Sequence, residues 1–510
     1  MTTPTSTQMD APVPAPKPKS TPVRSPKRTL IHGALWAVGA RWSIRGIGFI
    51  NTAIMARLLM PADYGLVAMS MLIVGLTQAL MDFGAATALL RKGEVSPSEI
   101  NSAWSLRILQ GVGVALLLAL LAPVAAAYFN EPRVQPVLWV LAGCVAIGGA
   151  ENIGVILAQK AFNFSVEFRV TVISKIISVV ATLLSGYFLR DYRALVIGIA
   201  TGYVASLALG YVLHPYRPRW DTRKMGEIWS VTKWLMLAGV GSFLLRKSDE
   251  VAAGRIGSTG DFGLYHTGSD LGRLAVGQLG PAMMRAFLPV LSSIEADVLR
   301  TNNAVLKTLA AVNAITLPMG FGMAAIALPF TQLVLGDKWL GAAPFVAIFA
   351  LVGSAQFLLS PLTALLVLRG HTRTLNTVSW IEFAVFVAAA LVLVPQFYLM
   401  GMGLARLLAS LVNSVVLSLS AKRYCHIALH KLLLSIMRPL IGAALMYFLV
   451  THVLNMNPSD GMQCFMAIMA GALFYSAWLL GSWVILKKPE GLESTVWDAL
   501  DSHWLRRRNS

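Results

Sequence analysis

Twelve of the 42 Lys and Arg residues fall inside stretches apolar enough to cross a bilayer. A cation in hydrocarbon costs roughly 2.5–3.5 kcal/mol on insertion scales, so each needs a reason to be there. Arg41 and Arg45 lie about 12 and 18 Å along the first stretch at the helical rise, four residues apart and therefore on one face. Arg57 closes that stretch, Arg246 and Lys247 lie near the middle of the seventh, and Arg255 closes the seventh. Arginine's planar fork grips phosphate bidentately. Arg41, Arg45, Arg57, Arg246, Lys247 and Arg255 are thus candidate linings of a hydrated cationic cleft for an anionic group.

Other deep charges admit other fates. Arg107, Lys233, Arg285 and Arg438 lie near stretch ends and can snorkel to the interface. Asp270 and Arg273, three residues apart, are expected to pair within one helix. Lys175, Glu382 and Arg406 are open between cavity lining and pairs that pack helices together. A carboxylate at low dielectric can couple ion entry to a conformational change, which makes Asp82, Glu151, Asp249, Glu250 and Glu382 candidates. Asp82 also fits a helix cap before Gly84. Cys144, Cys425 and Cys464 read as small buried hydrophobes. His426 and His430 have helical spacing but no acidic neighbour, so neither a metal nor a cofactor is expected.

The elements that must hold these residues follow from composition. Hydrophobic residues are 56 % and charged residues 13 % of the 510, against about a quarter charged in soluble chains. This excludes a nucleic-acid-binding domain despite the net charge of +18. Residues 1–30 are a basic Pro/Ser/Thr tail. Fourteen stretches long enough to span follow, near 33–58, 64–90, 103–127, 135–158, 169–189, 194–213, 229–254, 262–290, 305–334, 345–368, 374–394, 398–420, 433–454 and 463–486. The expectation is an all-α integral membrane protein. Of the 42 cations, 25 fall in or beside the tails and connectors of one side and 5 in those of the other. The positive-inside rule then puts both termini, including a basic tail over 487–510, in the cytoplasm.

The chain repeats itself. Arg57-Leu58-Leu59-Met60-Pro61-Ala62-Asp63-Tyr64-Gly65-Leu66 and Arg255-Ile256-Gly257-Ser258-Thr259-Gly260-Asp261-Phe262-Gly263-Leu264 share Arg, Asp, an aromatic, Gly and Leu at an offset of 198. Six stretches separate the copies, so the repeats are parallel, about an axis normal to the membrane, with a site between them. We expect an N-lobe over 31–213, a basic linker over 214–228, a C-lobe over 229–420, and two extra helices in 421–486. At this offset Arg246 matches position 48 and should approach Arg45 across the axis.

These motifs resemble the bacterial polysaccharide transport, or oligosaccharide flippase, family. The resemblance rests on Ala56 to Leu66, on Asp82-Phe83-Gly84 and the run to Lys92, on Pro289-Val290-Leu291-Ser292, on Gly336-Asp337-Lys338-Trp339 and on Leu368-Arg369-Gly370. It implies two six-helix lobes around a V-shaped cavity. It also implies alternating-access transfer of a polyprenyl-pyrophosphate-linked oligosaccharide across the bacterial inner membrane, for exopolysaccharide, capsule or O-antigen synthesis. Membrane lipid and a polysaccharide polymerase are the partners it implies. Arg246-Lys247-Ser248-Asp249-Glu250 is more charged than the family pattern. An enzyme is not expected: no nucleophile elbow, P-loop or large external loop is present. The alternative is an ion-coupled small-molecule or multidrug antiporter of the same superfamily, which would favour an acidic, aromatic cavity.

Overall fold

The structure, a computed structural model, describes residues 26–78, 95–161, 163–277, 287, 290–294, 297–456 and 461–485. Asp82, Arg285, most of both tails, and the side chains of Arg41 and Lys233 lie outside the described residues.

All regular structure among the described residues is helical. The first half of the chain forms α1 (Pro26–Leu58), α2 (Pro61–Gln78), α3 (Pro97–Phe129), α4 (Val134–Gly149), α5 (Gly154–Lys160), α6 (Phe164–Leu189) and α7 (Arg193–Leu213). The second forms α8 (Met225–Ile256), α9 (Thr259–Gly277), α10 (Val298–Ala325), α11 (Ala327–Leu335), α12 (Ala343–Phe357), α13 (Ser360–Leu368), α14 (Thr372–Phe397) and α15 (Leu399–Cys425). The chain continues into α16 (Leu429–Met456) and α17 (Gly461–Ile485). Nine membrane-length apolar spans lie among the described residues, one of them running from Asp337 through α12 and α13. Large side chains such as Leu120, Phe188, Leu391 and Ile485 stay exposed on their outer faces, as lipid contact requires.

Local chemistry sets the breaks. Ser96 accepts from the Glu99 amide and Glu99 from the Ser96 amide, with Pro97 in the first turn, a capping box that starts α3. Asn130, at φ 53°, ends it. The expected stretch 135–158 is α4 and α5, bent by 55°. Asn152 holds the bend: its Nδ2 donates to the carbonyls of Gly210 and Tyr216, and its Oδ1 accepts from the Gly154 amide. The stretch 305–334 divides at Ile326 into α10 and α11, and 345–368 divides at Leu358–Leu359, ahead of Pro361.

Packing follows chain order. In the first half α6 packs on α7 and on α1, α3 on α4, and α2 on α4; in the second α9 packs on α12, α14 on α15, and α10 and α15 on α12. α16 lies against α10 and carries α17. The halves join where α2 meets α8 and α9, α3 meets α8, and α1 meets α11. The repeated motif recurs in structure. Asp63 accepts from the Met60 amide, and Asp261 from Ser258, so both copies cap the second helix of a pair.

Candidate functional site

About two turns from the C-terminal end of α8, Asp249 and Glu250 are consecutive and fully buried. Neighbours on a helix point about 100° apart, so the two carboxylates meet different partners. Asp249 Oδ2 accepts from Arg273 Nη2 of α9 at 3.1 Å and from the Tyr265 hydroxyl at 3.3 Å. Arg406 of α15 places Nη2 at 3.7 Å from Asp249 Oδ1. The same Nη2 donates to the backbone carbonyls of Arg246, at 2.8 Å, and Leu245, at 3.1 Å. Each guanidinium also lies over a ring: Arg273 over Phe349 at 4.5 Å and Arg406 over Phe386 at 5.2 Å. Glu250 accepts from Lys247 one turn back and faces His266 Nδ1 at 3.1 Å. His266 Nε2 lies 3.8 Å from Asp270 Oδ2.

This arrangement brings three cations, a histidine and three acids together, and for the fully buried Asp249 and Glu250 only close pairing offsets the cost of charge. It corrects one expectation: Arg273 pairs with Asp249 on the neighbouring helix, and Asp270 turns to His266. The buried Asp249 takes Arg273, and Asp270 keeps most of its side chain exposed. Arg406, which had no partner in sequence, proves to be the staple between α15 and α8.

Beside the cluster lies a cavity of about 380 Å³ whose wall includes Arg246, Arg273, Arg406 and Glu382. Arg246 is exposed there and makes no ion pair among the described residues, while Lys247 is held by Glu250. In the other half Arg45 is exposed on α1. Glu151 pairs with Arg107 at 3.0 Å and accepts from the Ser206 hydroxyl at 2.7 Å, so Arg107 is tied across helices.

Arg57 and Arg255 sit at one end of the bundle, where the halves close. Arg57 Nη2 donates to the Leu333 carbonyl at 2.7 Å, and Trp339 Nε1 to that of Ala56 at 2.8 Å. Arg255 lies over Tyr128 at 5.9 Å, whose hydroxyl donates to the Val251 carbonyl. Thr259 donates to Glu131 at 2.8 Å across the junction. The Arg133 guanidinium beside Glu131 holds that carboxyl down at about 2, aided by Thr259 and opposed by burial.

The sequence reading missed Tyr265 and His266. A signal existed: α8 and α9 form a helical hairpin turning at Gly257, so residues equidistant from the turn, such as 249 and 265, face each other.

Two related helical bundles, sealed together at one end and carrying charge at mid-depth, make this a polytopic membrane protein of the paired-repeat transporter type. The chain belongs to the polysaccharide biosynthesis protein family, whose model matches residues 54–344. It is 22 % identical to the lipopolysaccharide biosynthesis protein WzxC of Escherichia coli (strain K12), over 76 % of this chain and 79 % of that one. It is 21 % identical to the teichuronic acid biosynthesis protein TuaB of Bacillus subtilis (strain 168), over 68 % and 72 %. The fold matches lipid II flippase MurJ in an inward closed conformation, with a TM-score of 0.72 and 13 % identity, over 89 % of this chain and 99 % of that chain. An inward-facing multidrug resistance MATE transporter matches at 0.57 and 14 % identity, over 76 % and 95 %.

Proposed function

We propose that this protein is a flippase that carries a polyprenyl-pyrophosphate-linked oligosaccharide across the bacterial inner membrane by alternating access. The observation that carries the reading is Arg246: a mid-membrane arginine, exposed to a polar cavity and without an ion-pair partner among the described residues. An exposed, unpaired guanidinium in a cavity wall is placed to take an anionic ligand, and its planar fork suits phosphate. Family membership, and relatives named for lipopolysaccharide and teichuronic acid biosynthesis, point to a lipid-linked sugar as the source of that anion.

In this reading Arg41, Arg45 and Arg246 receive the pyrophosphate, the expected cation Lys247 stays with Glu250, and Arg57 and Arg255 act later, at the mouth that is sealed here. The sealed end faces the periplasm and both termini face the cytoplasm in this reading, which the cation asymmetry of the connectors supports. The lobes are residues 31–213 and 229–420, and the polyprenyl tail stays in lipid while the sugar crosses between them. Asp82, Glu151, Asp249, Glu250 and Glu382 are the carboxylates available to ion coupling, and a polysaccharide polymerase consumes the product.

Deleting the gene tests the reading. Lipid-linked oligosaccharide should build up on the cytoplasmic face and one surface or secreted polysaccharide should disappear. Normal polymer with altered drug tolerance would instead mark a small-molecule antiporter.

A further inference from the structure

His266 stands out among the groups the transport reading leaves unused. It sits on α9, against α8, with its ring stacked 5.9 Å from Phe262 and 23 % of the side chain exposed. Both ring nitrogens face carboxylates: Nδ1 lies 3.1 Å from Glu250 Oε2 and Nε2 lies 3.8 Å from Asp270 Oδ2. A neutral imidazole carries one N–H and one lone pair, so it satisfies one acid and turns a lone pair on the other. Only the imidazolium presents a proton to each.

Charge balance gives the same answer. Around the ring α8 supplies Lys247 and Glu250, and α9 supplies Asp270. With a protonated ring this quartet is neutral, and without the proton it carries one negative charge at membrane depth. The neighbouring ions are spent elsewhere: Asp249 is held by Arg273, Tyr265 and Arg406. Of the helices packed on α9, α2 brings one charged residue, Asp63, which serves Met60 and Tyr192, and α12 brings none. Arg300 and Lys307 lie in the first three turns of α10, and in the turn after α11 Asp337 accepts from Gln332 and Lys338 donates to the Arg57 carbonyl.

We propose that His266 is a proton-binding site of the carrier, clamped between Glu250 and Asp270. The proton enters and leaves through Asp270, whose side chain is 63 % exposed, while Glu250 is buried behind the ring. The site spans α8 and α9, and α9 also crosses α2 at the sealed end. A movement that parts α9 from α8 removes Glu250 from the ring and releases the proton. Proton occupancy and the seal are thereby linked. This link rests on the transport reading, whereas the site itself does not.

The test is nitrogen NMR of the full chain, labelled with ¹⁵N-histidine, in lipid at neutral pH. The His266 signal is assigned by its loss in His266→Asn. The expected result is an imidazolium with both nitrogens protonated in the native chain, and a neutral ring in Glu250→Gln and in Asp270→Asn. Asp270→Asn is exposed and carries the test if Glu250→Gln does not fold. A neutral ring in the native chain, or an imidazolium indifferent to both substitutions, overturns the proposal. The link is read separately, by labelling Thr259→Cys at the seal with an impermeant maleimide in a chain without native cysteines. Labelling should rise with pH more steeply with His266 than with His266→Gln, and equal slopes overturn the link. Because no cargo is needed, a failed NMR result leaves the flippase reading standing, and normal polysaccharide output in a deletion strain would sink that reading without touching the proton site.

Discussion

Gly65 and Gly263 cross at the junction of the two halves with no room for a side chain on either. A Cβ on Gly65 would lie 1.8 Å from the Thr259 carbonyl oxygen, and one on Gly263 would lie 1.9 Å from that of Pro61. Both the glycines and the carbonyls they approach are separated by the repeat offset of 198. The pseudo-two-fold axis therefore passes between α2 and α9, where small residues let backbones touch.

Gly65→Ala and Gly263→Ala should each hold the sealed end apart. The expected outcome is a stably inserted protein with little or no transport, and much faster labelling of a cysteine placed at Thr259. Slow labelling equal to that of the native chain would show that the crossing yields to a methyl group without opening.

Breaking the mid-membrane cluster should destabilise the fold. Asp249→Asn leaves Arg273 and Arg406 without their shared counter-ion, which costs roughly 3–5 kcal/mol. Thermal melting in detergent should fall sharply, and the triple substitution Asp249→Leu, Arg273→Met, Arg406→Met should recover much of the loss because no lone charge remains. Losses that simply add would argue against direct pairing.

At the seal, the Arg133 guanidinium holds the Glu131 carboxyl down at about 2, below its ordinary value near 4.5. A carboxyl with a depressed folded pKa contributes stability above its unfolded value, lost as pH falls toward 2. Glu131→Gln should thus weaken the protein at neutral pH, and the difference from the native chain should shrink on acidification below about 4.5. The group is partly solvated, so the effect should be small. Melting of both chains across that range checks the sign.

Arg246→Lys should keep part of the transport that Arg246→Ala loses, since a point charge replaces a bidentate fork. Expression and insertion should be normal for both, measured by membrane immunoblot beside polymer output. Equal, wild-type output from Arg246→Ala would remove this residue from the ligand path.

Sequence periodicity and composition were enough for the helical, membrane-embedded fold and for the repeat, because hydrocarbon thickness and a 198-residue offset are both written along the chain. The motif's physical basis was less plain: Asp63 and Asp261 are caps, and Gly65 and Gly263 a crossing. The bends at Asn152 and Ile326 were missed, since the apolar runs continue through them and the hydrogen bonds of Asn152 reach 58 and 64 residues on. At the site, the three-residue spacing of Lys247 and Glu250 on one helix suits the local pair they form. The bonds of Arg406 to α8, at separations of 160 and 161, had no local signal.

The most direct measurement of the central account is the leaflet in which lipid-linked oligosaccharide resides in a strain lacking the native gene. It is read by oxidation of the sugar with an impermeant reagent in intact spheroplasts. Complementation with the native chain should return the sugar to the outer leaflet, and the Arg45→Ala, Arg246→Ala double variant should leave it inside at normal expression. Outer-leaflet sugar at native levels without the gene would contradict the account.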